Sequence, residues 1–367
     1  MEIEIISEPA KLKAFCVHAA TQEWLSVDTE FMREDSFYPK LCLVQVATQS
    51  RIACIDALAL DDLSALYELL GSKALTKVFH AARQDLEILY LLSNTVPAPV
   101  FDTQIAASAL GHGHQVSYAY LVLKMCGVQL DKSLSRKIWT RRPLPDRAIR
   151  YAANDVRYLS PIYKSLRLEL AERDRTHWVD NECQRLCHDR LYKPDPDSSW
   201  KSVKGARKLL PVQLAVLKAL ASWRDRTAMT RDRPRQWIMR DEALCELAVK
   251  QPASVSSLME IKTLTRKQRD RYAHSLLGCV EAARQTPEKD WPLSLRHLVL
   301  SRSQRKNLKL ASQFVQERAK QLHVQPDFLA SRAMLVKLIN GLEAPHAVLG
   351  WRHNLIGKEL EQILGEE

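Results

Sequence analysis

The sequence predicts an α/β domain built on a mixed sheet, followed by an all-helical region of two similar modules. Three observations predict it. In the first 110 residues, short runs rich in Val, Ile, Leu and Phe alternate with amphipathic segments of helical period. Beyond about residue 200 no strand-like run occurs, and apolar residues recur at helical spacing. The charge divides at the same place: residues 1–200 carry 24 Lys and Arg against 26 Asp and Glu, and residues 201–367 carry 30 against 17. All of the net charge of +11 therefore lies in the helical half. Such a split is expected when one part gathers a polyanion and the other acts on it.

The elements follow in order. "WLSVDTEF", "KLCLVQVAT", "RIACIDAL" and "KVFHA" read as strands. Between the last two, "DDLSALYELLG" begins with acidic residues and stops at Gly71, as a helix does. Three strands, a helix and another strand describe a mixed sheet. From "QDLEILYLL" to about residue 190 the patterns are helical, broken by "GHGH" and "RRPLP". "YKPDPDSSW", residues 192–200, has two prolines and no periodicity and reads as a linker. The expected boundaries are an α/β domain over 1–193, a linker over 194–209, and helical modules over 210–290 and 291–367. The two modules repeat at an offset of 92 residues. Arg226, Pro234, Arg240 and Leu247 match Arg318, Pro326, Arg332 and Ile339, each set marking a helix, a proline turn and a second helix.

Composition excludes several classes. At 46% hydrophobic and 26% charged residues the chain is an ordinary globular protein. It has no apolar run of about 18 residues, so no membrane span is expected, and "MEIEIISEPAKLKAF" lacks a signal pattern. Eight scattered cysteines without a CxxC pair fit a reducing cytoplasm, with Cys42 and Cys54 as small buried hydrophobes. "CQRLCHD" reads as a helix with two thiols one turn apart, not as a metal cluster.

The chemistry lies in the acidic residues. Asp28 and Glu30 stand at i and i+2 in an apolar strand, so both point to one face. Buried carboxylates need a cation. Asp85 follows a strand where a helix begins, and Tyr151 and Asp155 share a helical face at i,i+4. Each residue also has a plain structural use. Glu30 could pair with Arg33, Asp85 suits a helix N-terminus, and Tyr151 and Asp155 could dock a helix on the core. Jointly they offer what phosphodiester hydrolysis requires. Four hard oxygen ligands suit two Mg²⁺ or Mn²⁺ ions, which activate water and relieve charge at phosphorus. A tyrosine beside them can hold the attacking water.

These residues carry a family resemblance. "VDTEF", "FHAARQDL" and "YAANDVRYL" resemble the three exonuclease motifs of the DEDD superfamily, in the subgroup with tyrosine in the third motif. Their order, their spacing and the "LCLVQVA" strand are similar to the ribonuclease D family. The two helical modules resemble tandem HRDC domains, and "GWRHNLIGKELEQIL" resembles that family's tail. The resemblance implies a ribonuclease H-like exonuclease domain followed by two HRDC-type domains. It also implies metal-binding carboxylates at Asp28, Glu30, Asp85 and Asp155, and a water-orienting Tyr151. The reaction implied is 3′→5′ removal of nucleotides as 5′-monophosphates from RNA with a single-stranded 3′ end, tRNA precursors being the expected substrate. Thr29, Phe31, Met32, His80 and Gln84, beside the first two motifs, are candidates for contact with the terminal nucleotide.

In the basic half, Arg207, Lys208, Arg224, Arg226, Arg231, Arg233 and Arg235, then Arg302, Arg305, Lys306 and Lys309, are the densest candidates for phosphate contacts. Trp223 and Trp237 sit among them at helical apolar positions and read as core, with base stacking as the alternative. A monomer folded back over its active site is the expected assembly. Two rival functions stay open at this level. One is a DNA exonuclease, since the same carboxylates serve both polymers, although no GxxxxGK[ST] loop marks a helicase. The other is a non-catalytic RNA-binding protein, which would be expected to have lost one of these side chains.

Overall fold

The computed structural model describes residues 1–131, 139–293, 300–341 and 345–365. They divide into two units: Met1–Met32, Lys40–Lys193 and Arg302–Glu367 form one, and Arg33–Pro39 with Pro194–Ser301 form the other.

The first unit is built on β1 (Ile3–Ile6), α1 (Pro9–Ala19), β2 (Trp24–Met32), β3 (Lys40–Ala47), β4 (Ile52–Ile55), α2 (Ser64–Gly71), β5 (Thr76–Phe79), α3 (Arg83–Ser93) and β6 (Val100–Asp102). Helices α4 (Thr103–Ala109), α5 (Tyr118–Cys126), α6 (Asp146–Arg157), α7 (Leu159–Glu172) and α8 (Thr176–Leu186) follow. The sheet order is β1-β4-β3-β2-β5-β6. β3 runs antiparallel to β2 and β4, and the other neighbours are parallel. The mixed sheet is as the sequence predicts, with two more strands than its patterns reveal. β1 and β6 hold four and three residues, too few to display a period of two.

Alternation on β2 sorts the chemistry from the core. Leu25 and Val27 point into a cluster with Phe15, Leu66 and Leu86. Ser26, Asp28 and Glu30 point to the other face, where α6 covers β2, β3 and β4. Ala148, Ala152 and Ala153 are fully buried on α6, and their small side chains let the helix lie close on the sheet. Cys42 and Cys54 are buried as expected, and Cys183 and Cys187 lie one turn apart at the end of α8.

The second unit holds α9 (Pro211–Arg231), α10 (Arg235–Ile238), α11 (Asp241–Lys250), α12 (Val255–Leu258) and α13 (Arg266–Arg284). Its core joins Leu214, Leu217, Leu220, Leu244, Leu247, Leu276 and Val280. The expected linker, 194–209, is instead part of this unit. Residues Pro196–Ser202 and Ala206–Lys208 form 3₁₀ turns, and Trp200, Val203, Ala206 and Leu209 are buried in the helical core. Pro196, one of the two prolines that suggested a linker, starts the first of these turns. Residues Arg33–Pro39 cluster here too, with Asp232 accepting hydrogen bonds from the Phe37 and Tyr38 amides at 2.9 and 3.0 Å.

The internal repeat is present in the helices. In α14 (Arg302–Gln321), α15 (Pro326–Leu329) and α16 (Arg332–Ile339) a long helix, a one-turn helix and another helix recur in the order of α9, α10 and α11. Helices α17 (Pro345–Leu349) and α18 (Lys358–Gly365) complete the chain. Helices α14 to α18 belong to the first unit. Arg352 bonds Glu182 of α8 at 2.6 Å and the Phe328 carbonyl at 2.7 Å. Trp351 stacks on Trp178 with centroids 4.8 Å apart and donates to Glu182 at 3.0 Å. Arg175 bridges the carbonyls of Ala109 and Leu322. Gly111 fits the same place because a Cβ there would meet the His323 carbonyl oxygen at 2.0 Å.

Candidate active site

Strand β2, the start of α3 and the middle of α6 bring the acidic residues together. One carboxylate oxygen each from Asp28, Glu30 and Asp155 lie within 4.8 Å of one another. Asp85, in the first turn of α3, is buried and accepts a hydrogen bond from Thr29 Oγ1 at 2.5 Å. Its charge reaches the group, adding to the repulsion felt by both Asp28 and Glu30.

This concentration of charge is costly without a cation. Burial first, and then the charges of Asp155 and Asp85, push the Glu30 carboxyl up to about 8. Burial, followed by Asp85, Asp155 and Glu30, raises Asp28 well above the carboxylate range. Asp85 and Asp155 are raised as well, in each case chiefly by burial. The donor set is all oxygen, the preference of hard divalent ions. Two more polar side chains face the same side of the sheet. Gln45 pairs with Asp28 across β2 and β3, and neither atom of its amide, nor Ser26 Oγ, has a hydrogen-bond partner among the described residues. Buried polar groups left this way are rare, and Gln45, opposite Asp28, is the one in register with the carboxylates. The residues fit the implied metal centre.

A pH dependence follows. A carboxyl whose folded pKa lies above its unfolded value holds a proton that unfolding releases, so stability is full below the unfolded pKa and falls as pH rises toward the folded one. For Glu30 that window runs from 4.5 to about 8. The metal-free protein is expected to melt at lower temperature at pH 8 than at pH 5.5, with Mg²⁺ restoring more stability at pH 8. Thermal melts in EDTA and in Mg²⁺ at the two pH values test this, and a metal-free melting point that rises with pH would contradict it.

Tyr151 is half-buried, with its ring 6.3 Å from that of Trp139. Burial, then Asp155, Glu30 and Asp28, raise its pKa, so it stays a phenol that can donate. A cleft of about 220 Å³ opens beside it, lined by Arg147, Arg150, Asn154 and Asp155 among others. Arg147, paired with Asp131 at 2.9 Å, and Arg150 are exposed cations next to the carboxylates, and neither stands out in the sequence.

The other expected contacts fall out differently. The Thr29 hydroxyl is directed at Asp85, which makes it a support for that carboxylate. Phe31 packs on the core, and the register shift between Glu30 and Phe31 re-aims the strand there. Met32 is half-buried and Gln84 exposed. His80 bonds Thr103 Oγ1 at 2.9 Å and the Val116 carbonyl at 3.0 Å, so both ring nitrogens are engaged.

Among the basic candidates, Arg224 is a correction. It is 3% exposed and pairs with Asp241 at 2.6 Å, neutralising charge inside the helical core instead of facing solvent. Arg207, Lys208, Arg226, Arg231, Arg233, Arg235, Arg302, Arg305, Lys306 and Lys309 are exposed. Arg226 pairs with Asp197 and Arg235 with Asp225. Trp223 is half-buried against the core, edge-on to Tyr272. Trp237 departs from its expected core role and is 61% exposed.

Three supports of the site escaped the sequence reading. Asp102 accepts from the amides of Ala81 and Ala82 and from Gln104, tying the "FHAAR" turn before Asp85 to the start of α4. Arg142 grips Asp56 through two nitrogens and bonds the Cys42 carbonyl, fixing the segment that leads into α6. The Tyr118 hydroxyl donates to the Asn154 carbonyl and accepts from the Tyr158 amide, where α6 meets α7.

The mixed sheet with its converging carboxylates is the domain of a 3′→5′ exonuclease. Residues 3–171 match the family described as 3′-5′ exonuclease, and residues 213–280 match the HRDC domain. Ribonuclease D of Bartonella henselae is 35% identical over 99% of this chain and 90% of its own. Ribonuclease D of Acidiphilium cryptum is 36% identical over 98% and 93%. The crystal structure of Escherichia coli RNase D, an exoribonuclease involved in structured RNA processing, is 31% identical, with a TM-score of 0.91 over 100% of this chain and 99% of that one. The chain belongs to the ribonuclease D family. It is a hydrolytic 3′→5′ exoribonuclease, acts on RNA, and comes from a family that depends on divalent metal ions. No helix among its described residues is long and apolar enough to cross a membrane.

Proposed function

We propose that this exoribonuclease works with two divalent ions, Mg²⁺ or Mn²⁺, held by Asp28, Glu30, Asp85 and Asp155, and that it belongs to the tyrosine subgroup through Tyr151. The convergence of Asp28, Glu30 and Asp155 within 4.8 Å carries this reading. When bound, such a pair of ions supplies a nucleophile at neutral pH and charge relief at phosphorus. The chain's own residues do the rest. Tyr151 donates a hydrogen bond that orients the attacking water. Arg147 and Arg150 draw the terminal phosphate toward the carboxylates. Thr29 and Asp102 hold Asp85 and the turn before it, so the site costs little reorganisation at reaction.

The substrate proposed is RNA with a single-stranded 3′ end, tRNA precursors among them. The homologue's role in structured RNA processing and the basic charge of residues 201–367 support this. The helical unit that starts at Pro194 would be the first HRDC-type domain, and the second helical set, within the expected 291–367, a second one, consistent with the repeated helices. Residues 294–299, 342–344 and 366–367 of the latter lie outside the described residues. The exposed arginines and lysines would contact the RNA body. A reducing cytoplasm fits the eight free cysteines, and the proposed assembly is a monomer.

The test is digestion of 3′-labelled and 5′-labelled RNA, with DNA beside it, in Mg²⁺ and in EDTA. The wild type should shorten RNA stepwise from the 3′ end only with metal. Equal trimming in EDTA would defeat the metal reading, and preference for DNA would defeat the substrate reading. Tyr151→Phe should lower kcat about 100-fold, the scale of a positioned proton-bearing group, with Mg²⁺ affinity by calorimetry unchanged. A matching loss of metal affinity would make Tyr151 part of the metal cage instead.

A further inference from the structure

We propose that the cleft between α10 and α13 is a binding site for one nucleotide of single-stranded RNA, with the base stacked on Trp237. The inference rests on the RNA reading above and deepens it. The cleft holds about 520 Å³, room for a nucleotide, and its walls come from two short stretches, Gln236 to Arg240 and Thr263 to Tyr272.

Trp237 is the key observation. Helix α10 has four residues, and its last residue Ile238 and the following Met239 anchor it, at 3% and 0% exposed. Trp237 lies outside the helical core and is 61% exposed. A large aromatic surface left in water has an energetic cost, and it is informative where polar groups converge around it. Here they do. Arg240, Lys267 and Arg271 line the cleft and are exposed, and none of the residues lining it is acidic. The Arg233 guanidinium lies 5.9 Å from the indole centroid. An aromatic face among cations, with no acid lining the cleft, suits a base with a phosphate on either side, since stacking accepts any base and the cations follow the backbone.

The cleft is also held in shape. Gln268 donates to the Ile238 carbonyl at 3.0 Å, tying α10 to α13. Its side-chain oxygen accepts from Thr265 N and Oγ1, both at 3.1 Å, which fixes the N-terminus of α13. Tyr272 is buried at the base and accepts from Arg231 at 2.8 Å. A site braced in this way loses little freedom on binding.

The experiment is binding of a 5′-fluorescein-labelled 15-nucleotide poly(A) RNA to the full chain in EDTA, where no trimming occurs, read by anisotropy. Trimming by the wild type in Mg²⁺ is run in parallel. Trp237→Ala should weaken binding at least about 5-fold, the lower end of one lost stacking contact, while Trp237→Phe keeps most of it. Arg271→Gln should reduce the slope of log affinity against log salt by about 1. Because Trp237 is exposed, melting curves of all variants should match the wild type. If Trp237→Ala binds as tightly as the wild type, the cleft is not an RNA site, and the exoribonuclease reading stands on the parallel trimming. If the wild type neither binds nor trims RNA, both readings fall together.

Discussion

Asp28→Asn and Asp155→Asn should each lose RNA trimming by on the order of 10³-fold or more, and each should make the metal-free protein more stable at pH 8. The first effect is the loss of a ligand whose metal is worth several kcal/mol of transition-state stabilisation. The second comes from the repulsion that raises these carboxyls: replacing one with a neutral amide relieves the others. Together the two effects separate a metal centre from an ordinary buried acid. A structural carboxylate paired with the protein would lose stability when neutralised, not gain it. Trimming assays and melts in EDTA at pH 8 read both. A variant that loses activity and also melts lower in EDTA would show that these carboxylates already have partners in the protein.

The second large effect is on stability. Arg352→Ala should cost about 3–5 kcal/mol, the usual loss when one member of a buried ion pair is removed. Arg352 and Glu182 are 6% and 19% exposed in their side chains and 2.6 Å apart. Burial alone would raise the Glu182 pKa, and the hydrogen bond and charge of Arg352 bring it below its ordinary value. Without Arg352 that charge keeps only the half-exposed Arg185 at 3.3 Å and the Trp351 Nε1–H at 3.0 Å, a weaker match for its burial. The double variant Arg352→Met/Glu182→Gln should recover much of the loss, because a buried pair replaced as a whole is often near neutral. Denaturant melts of the three variants measure this. A single variant within about 1 kcal/mol of wild type would mean that α14 to α18 do not depend on this pair to dock on α8.

Much of the site is legible in the sequence because its motifs are local. Asp28 and Glu30 stand out as charges in an apolar strand, and Tyr151 and Asp155 share a face by helical spacing. Neither needs knowledge of distant contacts. Gln45 opposes Asp28 only once the β2–β3 register is fixed, and Arg142 meets Asp56 across 86 residues. Asp102 caps one helix and holds the turn before another, a double use that no spacing reveals. Periodicity likewise cannot tell which side of a short helix is left open. Trp237 and Arg224 both sat in helical patterns, and the structure turned the tryptophan outward and the arginine inward. Nor does it show which partner a helical set chooses: the repeat of α9 to α11 in α14 to α16 is visible in the sequence, but the packing of the second copy on α8 is not.

An anomalous difference map from crystals of this protein soaked in Mn²⁺ would show whether the four carboxylates hold two metal ions. Two peaks are expected roughly 4 Å apart, within ligand distance of Asp28, Glu30, Asp85 and Asp155 and close to Tyr151. Peaks at other side chains, or none among these four at saturating Mn²⁺, would contradict the two-metal reading.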